Sequence, residues 1–197
     1  MNYFSFFEKT TRYVLSVLVN KKYRLRPAMR FVYEHYKNNG GVGLVGVELG
    51  VFRGDHAAEM LKILPIKKLY LVDSYAPYVD DRGYHDHSGF KDDCLNRFKG
   101  DSRVVFLHMT SGEALKYIPD GLDFVYSDNE HSVDGVNTDL LYWDKLRVGG
   151  VFSGDDYGLK YFSVGVAVGN FLLSHPEIKR CDRQSSGVEY WFVKKEG

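Results

Sequence analysis

Two short polar segments carry most of the chemistry this sequence can do. Ser127-Asp128-Asn129-Glu130-His131-Ser132 and Gly154-Asp155-Asp156-Tyr157 each close a run of apolar residues. If the two runs are neighbouring parallel strands, the carboxylates Asp128, Asp155 and Asp156 converge on one cleft. Such an oxygen-rich set suits a hard divalent cation such as magnesium. Without a cation the charges repel, and some of the groups take up a proton. His131, with a reference pKa near neutrality, can accept a proton from a hydroxyl, and Glu130 is a second candidate base. Blander duties stand beside these: Asp155 capping a turn, Asp156 facing solvent, His131 orienting its loop.

A third polar feature is the loop Glu48-Leu49-Gly50-Val51-Phe52-Arg53-Gly54, between an apolar run and a stretch with helical spacing. Glycine there lets a ligand approach the backbone, and a helix N-terminus adds free N–H groups. The G-x-G-x-x-G turn of dinucleotide sites is absent, and Glu48 would repel a pyrophosphate. An acidic residue at that place suits a ligand with an amine end. Asp73 closes the next apolar run, Leu69 to Val72, where a carboxylate can accept hydrogen bonds from ribose hydroxyls.

These residues need elements to position them. The first 40 residues read as helical, with Phe4, Phe7, Val14, Leu15 and Leu18 at helical spacing. A second helix starts near Pro27, carries Met29, Val32, Tyr33 and Tyr36, and stops at Asn38-Asn39-Gly40-Gly41. Strands are predicted over Val42–Leu49, Lys68–Val72, Arg103–Leu107, Leu122–Ser127 and Gly150–Ser153. Helices are predicted over Asp55–Leu64, Gly89–Phe98, Glu113–Tyr117, Val136–Leu146 and Tyr161–Leu173. Two last strands, Glu177–Asp182 and Val188–Val193, joined through Arg183 to Gly187, make an antiparallel hairpin at the sheet edge. Short apolar strands alternating with helices predict an α/β, Rossmann-like three-layer sandwich. Its sheet is mostly parallel and seven-stranded, with accessory N-terminal helices. The expected division is a helical extension over 1–41 and one domain over 42–197. The stretch Ser74 to Ser88 reads as irregular, either a lid or a plain surface loop, and holds His85 and His87 as potential substrate contacts.

Glu48, Gly50 and Gly54 in this setting resemble the first motif of the class I S-adenosylmethionine-dependent methyltransferases. The resemblance implies that the loop cradles the methionine part of S-adenosylmethionine and that Asp73 holds the ribose. It also implies that His108-Met109-Thr110-Ser111-Gly112-Glu113 borders the adenine, with Met109 packing and Ser111 either touching the adenine edge or capping the next helix. The implied cofactor contacts are Glu48, Gly50, Phe52, Gly54, Asp73, Ser74, Met109, Ser111 and Asp128. From Leu122 to Tyr157 the chain is similar to small-molecule, macrocin-type O-methyltransferases, through Asp128 and His131, Asp139, Gly149-Gly150 and Asp155-Asp156-Tyr157. Metal-dependent members of that subgroup have ligands at the positions of Asp128, Asp155 and Asp156, and a metal there would lower the pKa of a substrate hydroxyl. Asp128 alternatively meets the cofactor amine. The Asn/Asp-Pro-Pro-Tyr/Phe signature of nitrogen methylation is absent after the fourth strand, where Asp128-Asn129-Glu130-His131 stands.

Composition narrows the partners. Lys+Arg and Asp+Glu both number 26 among 197 residues, so net charge gives no reason to expect a nucleic-acid partner. The basic stretch Lys21-Lys22-Tyr23-Arg24-Leu25-Arg26 reads as a solvated helix end or linker. No apolar run is long enough for a spanning helix, so no membrane partner is expected. Cys94 and Cys181 match no metal or redox spacing, which points to free thiols and a cytoplasmic setting. Aromatic residues are 15% of the chain, and those of the N-terminal helices could form a homodimer surface, a substrate wall or simply the buried face of accessory helices. The competing functions are a nicotinamide-dependent oxidoreductase, disfavoured by Glu48 and the missing G-x-G-x-x-G, and an inactive cofactor-binding protein on the same fold.

Overall fold

The computed structural model describes residues 25–38, 43–158, 161–178, 183–185 and 188–196. The helix expected around Phe4 to Leu18, most of the basic stretch, the stop at Asn39-Gly40-Gly41 and Cys181 lie outside the described residues. Helix α1 spans Pro27–Asn38, and strand β1, Leu44–Leu49, leads into α2, Asp55–Ile63. After β2, Ile66–Val72, come β3, Tyr78–Asp80, and β4, Gly83–His85, then α3, Lys91–Arg97. The chain continues through β5 (Val104–Leu107), α4 (Ser111–Ala114), β6 (Leu122–Ser127) and α5 (Val133–Leu140). It ends with β7 (Leu146–Gly154), α6 (Phe162–Ser174), β8 (Arg183–Ser185) and β9 (Tyr190–Val193).

Seven strands form one sheet in the order β5-β2-β1-β6-β7-β9-β8. The pairs from β5 to β7 are parallel, while β9 runs antiparallel to β7 and β8 antiparallel to β9. This is the expected mostly parallel sheet with a C-terminal antiparallel hairpin. The chain leaves β1 toward β2 and β5, then returns to β6 on the other side of β1. The strand order therefore reverses between β1 and β6, the place where open α/β sheets take ligands. Glu48 on β1 and Asp128 just after β6 stand at that reversal.

Alternation along the strands fills two cores. Trp191 and Val193 of β9 face one core with Met29, Val32, Met60, Phe124 and Tyr126. Tyr190 and Phe192 face the other with Val47, Val125, Leu140, Phe152 and Val168. Helix α1 is part of the first core: Ala28, Met29 and Val32 are fully buried, which accounts for the apolar side of its helical pattern.

Several boundaries differ from the sequence expectation: α5 ends at Leu140 rather than Leu146, and β7 runs over Leu146–Gly154 rather than Gly150–Ser153. A strand lies at Arg183–Ser185, inside the expected connection; of the strand expected over Glu177–Asp182, residues 179–182 lie outside the described residues. Ile178 is instead buried in the second core just after α6, and its N–H donates to His175 O, so its apolar character serves a turn. The stretch Ser74 to Ser88 is not wholly irregular. It contains the β3–β4 hairpin, whose turn is closed by Arg82 N–H donating to Asp80 Oδ1 at 2.8 Å.

One buried carboxylate ties α1 to the sheet. Glu189 accepts from Ala28 N at 2.9 Å and from the Tyr126 hydroxyl at 2.6 Å. Glu189→Ala leaves both donors without that acceptor, and is expected to destabilise the protein by about 2–4 kcal/mol. Urea unfolding measures it; an unchanged midpoint would show that α1 does not depend on this contact.

Candidate functional site

The carboxyl ends of β1, β2 and β6 surround a pocket of about 330 Å³, within the range of small-molecule sites. Its walls include Glu48, Gly50, Phe52, Asp73, Ser74, Asp128 and His131. One cavity thus joins the glycine loop, the ribose candidate and part of the reaction side.

Local geometry explains the loop. Gly50 has φ +81°, and a Cβ there would lie 2.0 Å from Asp128 O, so the β1 loop and the β6 loop touch backbone to backbone. Asp73 Oδ2 accepts from Val51 N and Phe52 N at 2.8 and 2.9 Å, and Oδ1 accepts from Tyr75 N at 2.7 Å. Three accepted bonds leave a carboxylate room for about one more, enough for a ribose hydroxyl. Gly54 has a different cause from the one expected. A Cβ there would meet the Phe98 ring at 2.5 Å, and φ is +76°, so the glycine serves helix packing; Gly54 is not among the residues lining the pocket.

Glu48 is buried, and its Oε1 pairs with His56 Nδ1 at 2.8 Å. Burial raises its pKa above the usual carboxylate range, partly opposed by His56. Its Oε2 is buried without a hydrogen-bond partner. An ammonium group in the pocket would satisfy that oxygen. The chain therefore fits S-adenosylmethionine at this end: an acidic group for the amine, a close backbone turn, and a carboxylate on the ribose side.

The adenine side differs from the expectation. Met109 packs against the second core, and Ser111 is buried, within 3.5 Å of Asn129 Nδ2. Neither lines the pocket. The loop after β5 stands behind Ser74, whose carbonyl meets His108 Nε2 at 2.9 Å. Thr110, not Ser111, caps α4, in a capping box with Glu113. The wall on this side comes from Ser74, Tyr75, Ala76 and Tyr78, with Asn129 beside them.

The acidic groups meet, but not as one ligand set. His131 Nε2 lies 2.9 Å from Asp156 Oδ2 and 3.7 Å from Asp128 Oδ1. These three residues offer ligand atoms within 4.8 Å of one another, and the imidazole forms ion pairs with both carboxylates. Asp155 turns elsewhere: its Oδ2 lies 2.6 Å from Arg26 Nη1, and the same nitrogen lies 2.9 Å from Asp128 Oδ2. The expected set of Asp128, Asp155 and Asp156 does not fit a metal in this arrangement, because a guanidinium stands between two of its members. Glu130 is also turned away; it accepts from the Ser132 hydroxyl at the start of α5 and is not part of the pocket wall.

Charge pairing sets the protonation of these groups. Burial alone would raise Asp128, but bonding to His131 and the Arg26 charge outweigh it and hold it at about 2. Burial would lower His131, yet Asp128 and Asp156 outweigh that and raise it to about 9. The imidazole expected near neutrality is thus held as imidazolium at pH 7. Asp155 is raised, by burial first and then by the nearby Asp128 charge.

Sequence reasoning missed several partners. Arg26 was grouped with a solvated basic stretch, and no spacing links it to Asp128, 102 positions away. His56, the second residue of α2 and eight positions after Glu48, is a recoverable signal. Asp80 comes from the β3–β4 hairpin with a fully buried side chain, its Oδ2 3.4 Å from His131 Nδ1. His85 pairs with Asp80 and stacks on Tyr78, while His87 reaches the pocket beside Phe52.

Asp139 of α5 gives a pH test of the packing beneath the site. It is buried, it accepts from Ser127 Oγ at 2.8 Å, and burial raises it to about 6. The folded protein holds this proton more tightly than the unfolded chain, so ionising Asp139 costs stability. The favourable contribution is complete below about pH 4 and lost as pH rises through about 6. Relative to Asp139→Asn, the parent chain is expected to lose roughly 2–3 kcal/mol between pH 4 and pH 7. Urea midpoints at both pH values check this; a constant difference would refute it.

Comparison with known proteins bears on the fold and the family. No curated protein matches the chain. The solved O-methyltransferase NovP is similar at 20% identity and a TM-score of 0.67, over 85% of this chain and 78% of that one. The calicheamicin methyltransferase CalS11 is similar at 13% identity and 0.62, over 91% and 85%. A Streptococcus mutans protein whose structure holds S-adenosylhomocysteine is similar at 11% identity and 0.58, over 86% and 99%. At these identities the likeness shows the fold. The family model described as a methyltransferase domain matches residues 47–157, from β1 through the second acidic segment. The chain belongs to that family, the class I S-adenosylmethionine-dependent methyltransferases.

Proposed function

We propose that this methyltransferase acts on a hydroxyl oxygen of a small molecule. The observation that carries the reading is continuity: Glu48 and Asp73 line the same pocket as Asp128 and His131. A cofactor end and a proton-handling end therefore share one cavity. NovP is described as an O-methyltransferase and CalS11 as a TDP-rhamnose 3'-O-methyltransferase, which supports an oxygen acceptor.

Bound in the pocket, S-adenosylmethionine supplies an electrophilic methyl group on a sulfonium sulfur. Glu48 takes the amine, the backbone around Gly50 passes close to the ligand, and Asp73 takes a ribose hydroxyl. Tyr78, His87 and Phe52 add an aromatic wall to the pocket, with the Phe52 and His87 rings in edge contact. His131 is the base: its Nε2 accepts the acceptor hydroxyl's proton once it has lost its own. In the neutral ring Nδ1–H stays beside Asp80, and Nε2, on losing its proton, gives up its pairing with Asp156 and so is free to take the hydroxyl's proton. Stacking on Tyr161, with ring centroids 4.1 Å apart, fixes its plane.

Calorimetry tests the cofactor part. S-adenosylhomocysteine is expected to bind the full chain, and Asp73→Ala is expected to weaken it by about tenfold or more, the loss of a charge-assisted hydrogen bond. Binding of NAD with none of either adenosyl ligand would overturn the reading. The proton part has its own sign. Only the deprotonated fraction of His131 is competent, so the rate is expected to rise about tenfold per pH unit below about pH 9 and to level off above it. His131→Gln should be slow at every pH; a parent profile already flat from pH 6 to 8 would remove His131 as the base.

A further inference from the structure

The Arg26 guanidinium occupies a specific place. Its Nη1 lies 2.6 Å from Asp155 Oδ2, 2.9 Å from Asp128 Oδ2 and 2.7 Å from the Tyr126 hydroxyl. A magnesium ion shared by the same two carboxylate oxygens would lie about 2.0–2.1 Å from each. It would fall on or against Nη1, and two cations cannot share that volume. We propose that Arg26 is this chain's resident cation at the Asp128–Asp155 pair and keeps a divalent ion out of it. The inference deepens the reading of these strand ends as the methyl-transfer site and rests on it for its meaning.

The side chain is anchored rather than adrift. Arg26 directly precedes α1, whose Ala28 N–H is tied to Glu189 and whose Met29 and Val32 are fully buried. Tyr126 donates to Glu189 and thereby presents its oxygen to Arg26, and the guanidinium also lies over the Tyr126 ring, 5.5 Å from its centroid. The helix thus delivers one fixed positive charge across more than 100 residues of sequence to the ends of β6 and β7. A guanidinium keeps its charge at any pH the protein meets, so this balance does not depend on metal supply. Arg26 also lines the pocket, where its charge faces whatever oxygen the substrate presents.

The test is titration of manganese into the full chain, followed by calorimetry and by the electron paramagnetic resonance of free manganese. Asp155→Asn is expected to leave the parent chain's manganese affinity unchanged. Arg26→Gln, which removes the charge and keeps a polar side chain, should raise it by about tenfold or more. Arg26→Lys should stay near the parent. Adding Asp155→Asn to Arg26→Gln should abolish the gain. The proposal is overturned if Asp155→Asn weakens manganese binding in the parent, or if folded Arg26→Gln gains nothing. Should Arg26→Gln fail to fold, the Asp155→Asn comparison alone decides. Binding of S-adenosylhomocysteine in the same metal-free samples separates the two ideas. Its absence counts against methyl transfer, whereas the manganese pattern counts for or against Arg26.

Discussion

Negative charge gathered at one end of a sheet is the constraint on which the rest of this structure depends. Glu48, Asp80, Asp128, Asp155 and Asp156 all approach the carboxyl ends of β1, β6 and β7. Each is met by a positive or protonatable group. His56 of α2 pairs with Glu48, His131 with Asp156, Asp128 and Asp80, and Arg26 with Asp128 and Asp155. Uncompensated carboxylates at this depth would take up protons or drive the strand ends apart. The positions of α1, α2 and the β3–β4 hairpin follow in part from this need, since each supplies or orients a counter-charge.

Backbone strain gathers at the same place. Among the described residues the three non-glycine positions with positive φ are Phe52, Tyr75 and Asp156, after β1, β2 and β7. Such conformations persist where surrounding contacts over-determine them. Here Asp73 holds the amides of Val51, Phe52 and Tyr75, and the Tyr75 hydroxyl donates to Phe52 O at 2.7 Å. The loops are thus shaped before any ligand arrives, which lowers the ordering cost of binding. The hairpin is fastened too, with Asp80 against His131 and Asp81 accepting from Ser163 N at the start of α6.

Much of the fold was legible in residue order. Short apolar runs ending at Glu48-Leu49, Asp73 and Ser127-Asp128 marked the parallel strands, because a strand buried on both faces reads as largely apolar sequence. The residues that share the pocket wall were legible where they sit at or just after strand ends, as with Glu48, Asp73, Asp128 and His131. The site was not legible where a partner arrives from afar. Arg26 and Asp80 have no local pattern that sets them apart from solvated charges, and only packing of α1 and the hairpin brings them in. Gly54 shows a local need that the motif alone does not reveal: a Cβ there would meet the Phe98 ring. Ser111 and Met109 lie outside the pocket wall, on a loop after β5 whose His108 meets the Ser74 carbonyl.

The central claim is that the cavity between β1, β2 and β6 is where the adenosyl ligand binds. Amide hydrogen exchange of the full chain with and without S-adenosylhomocysteine tests it most directly. The account expects added protection at Gly50 to Phe52, at Ser74 to Ala76 and at Asn129, all residues of the pocket wall. Saturable binding that left those amides unchanged, with protection appearing instead around Trp143 and Phe171, would contradict it.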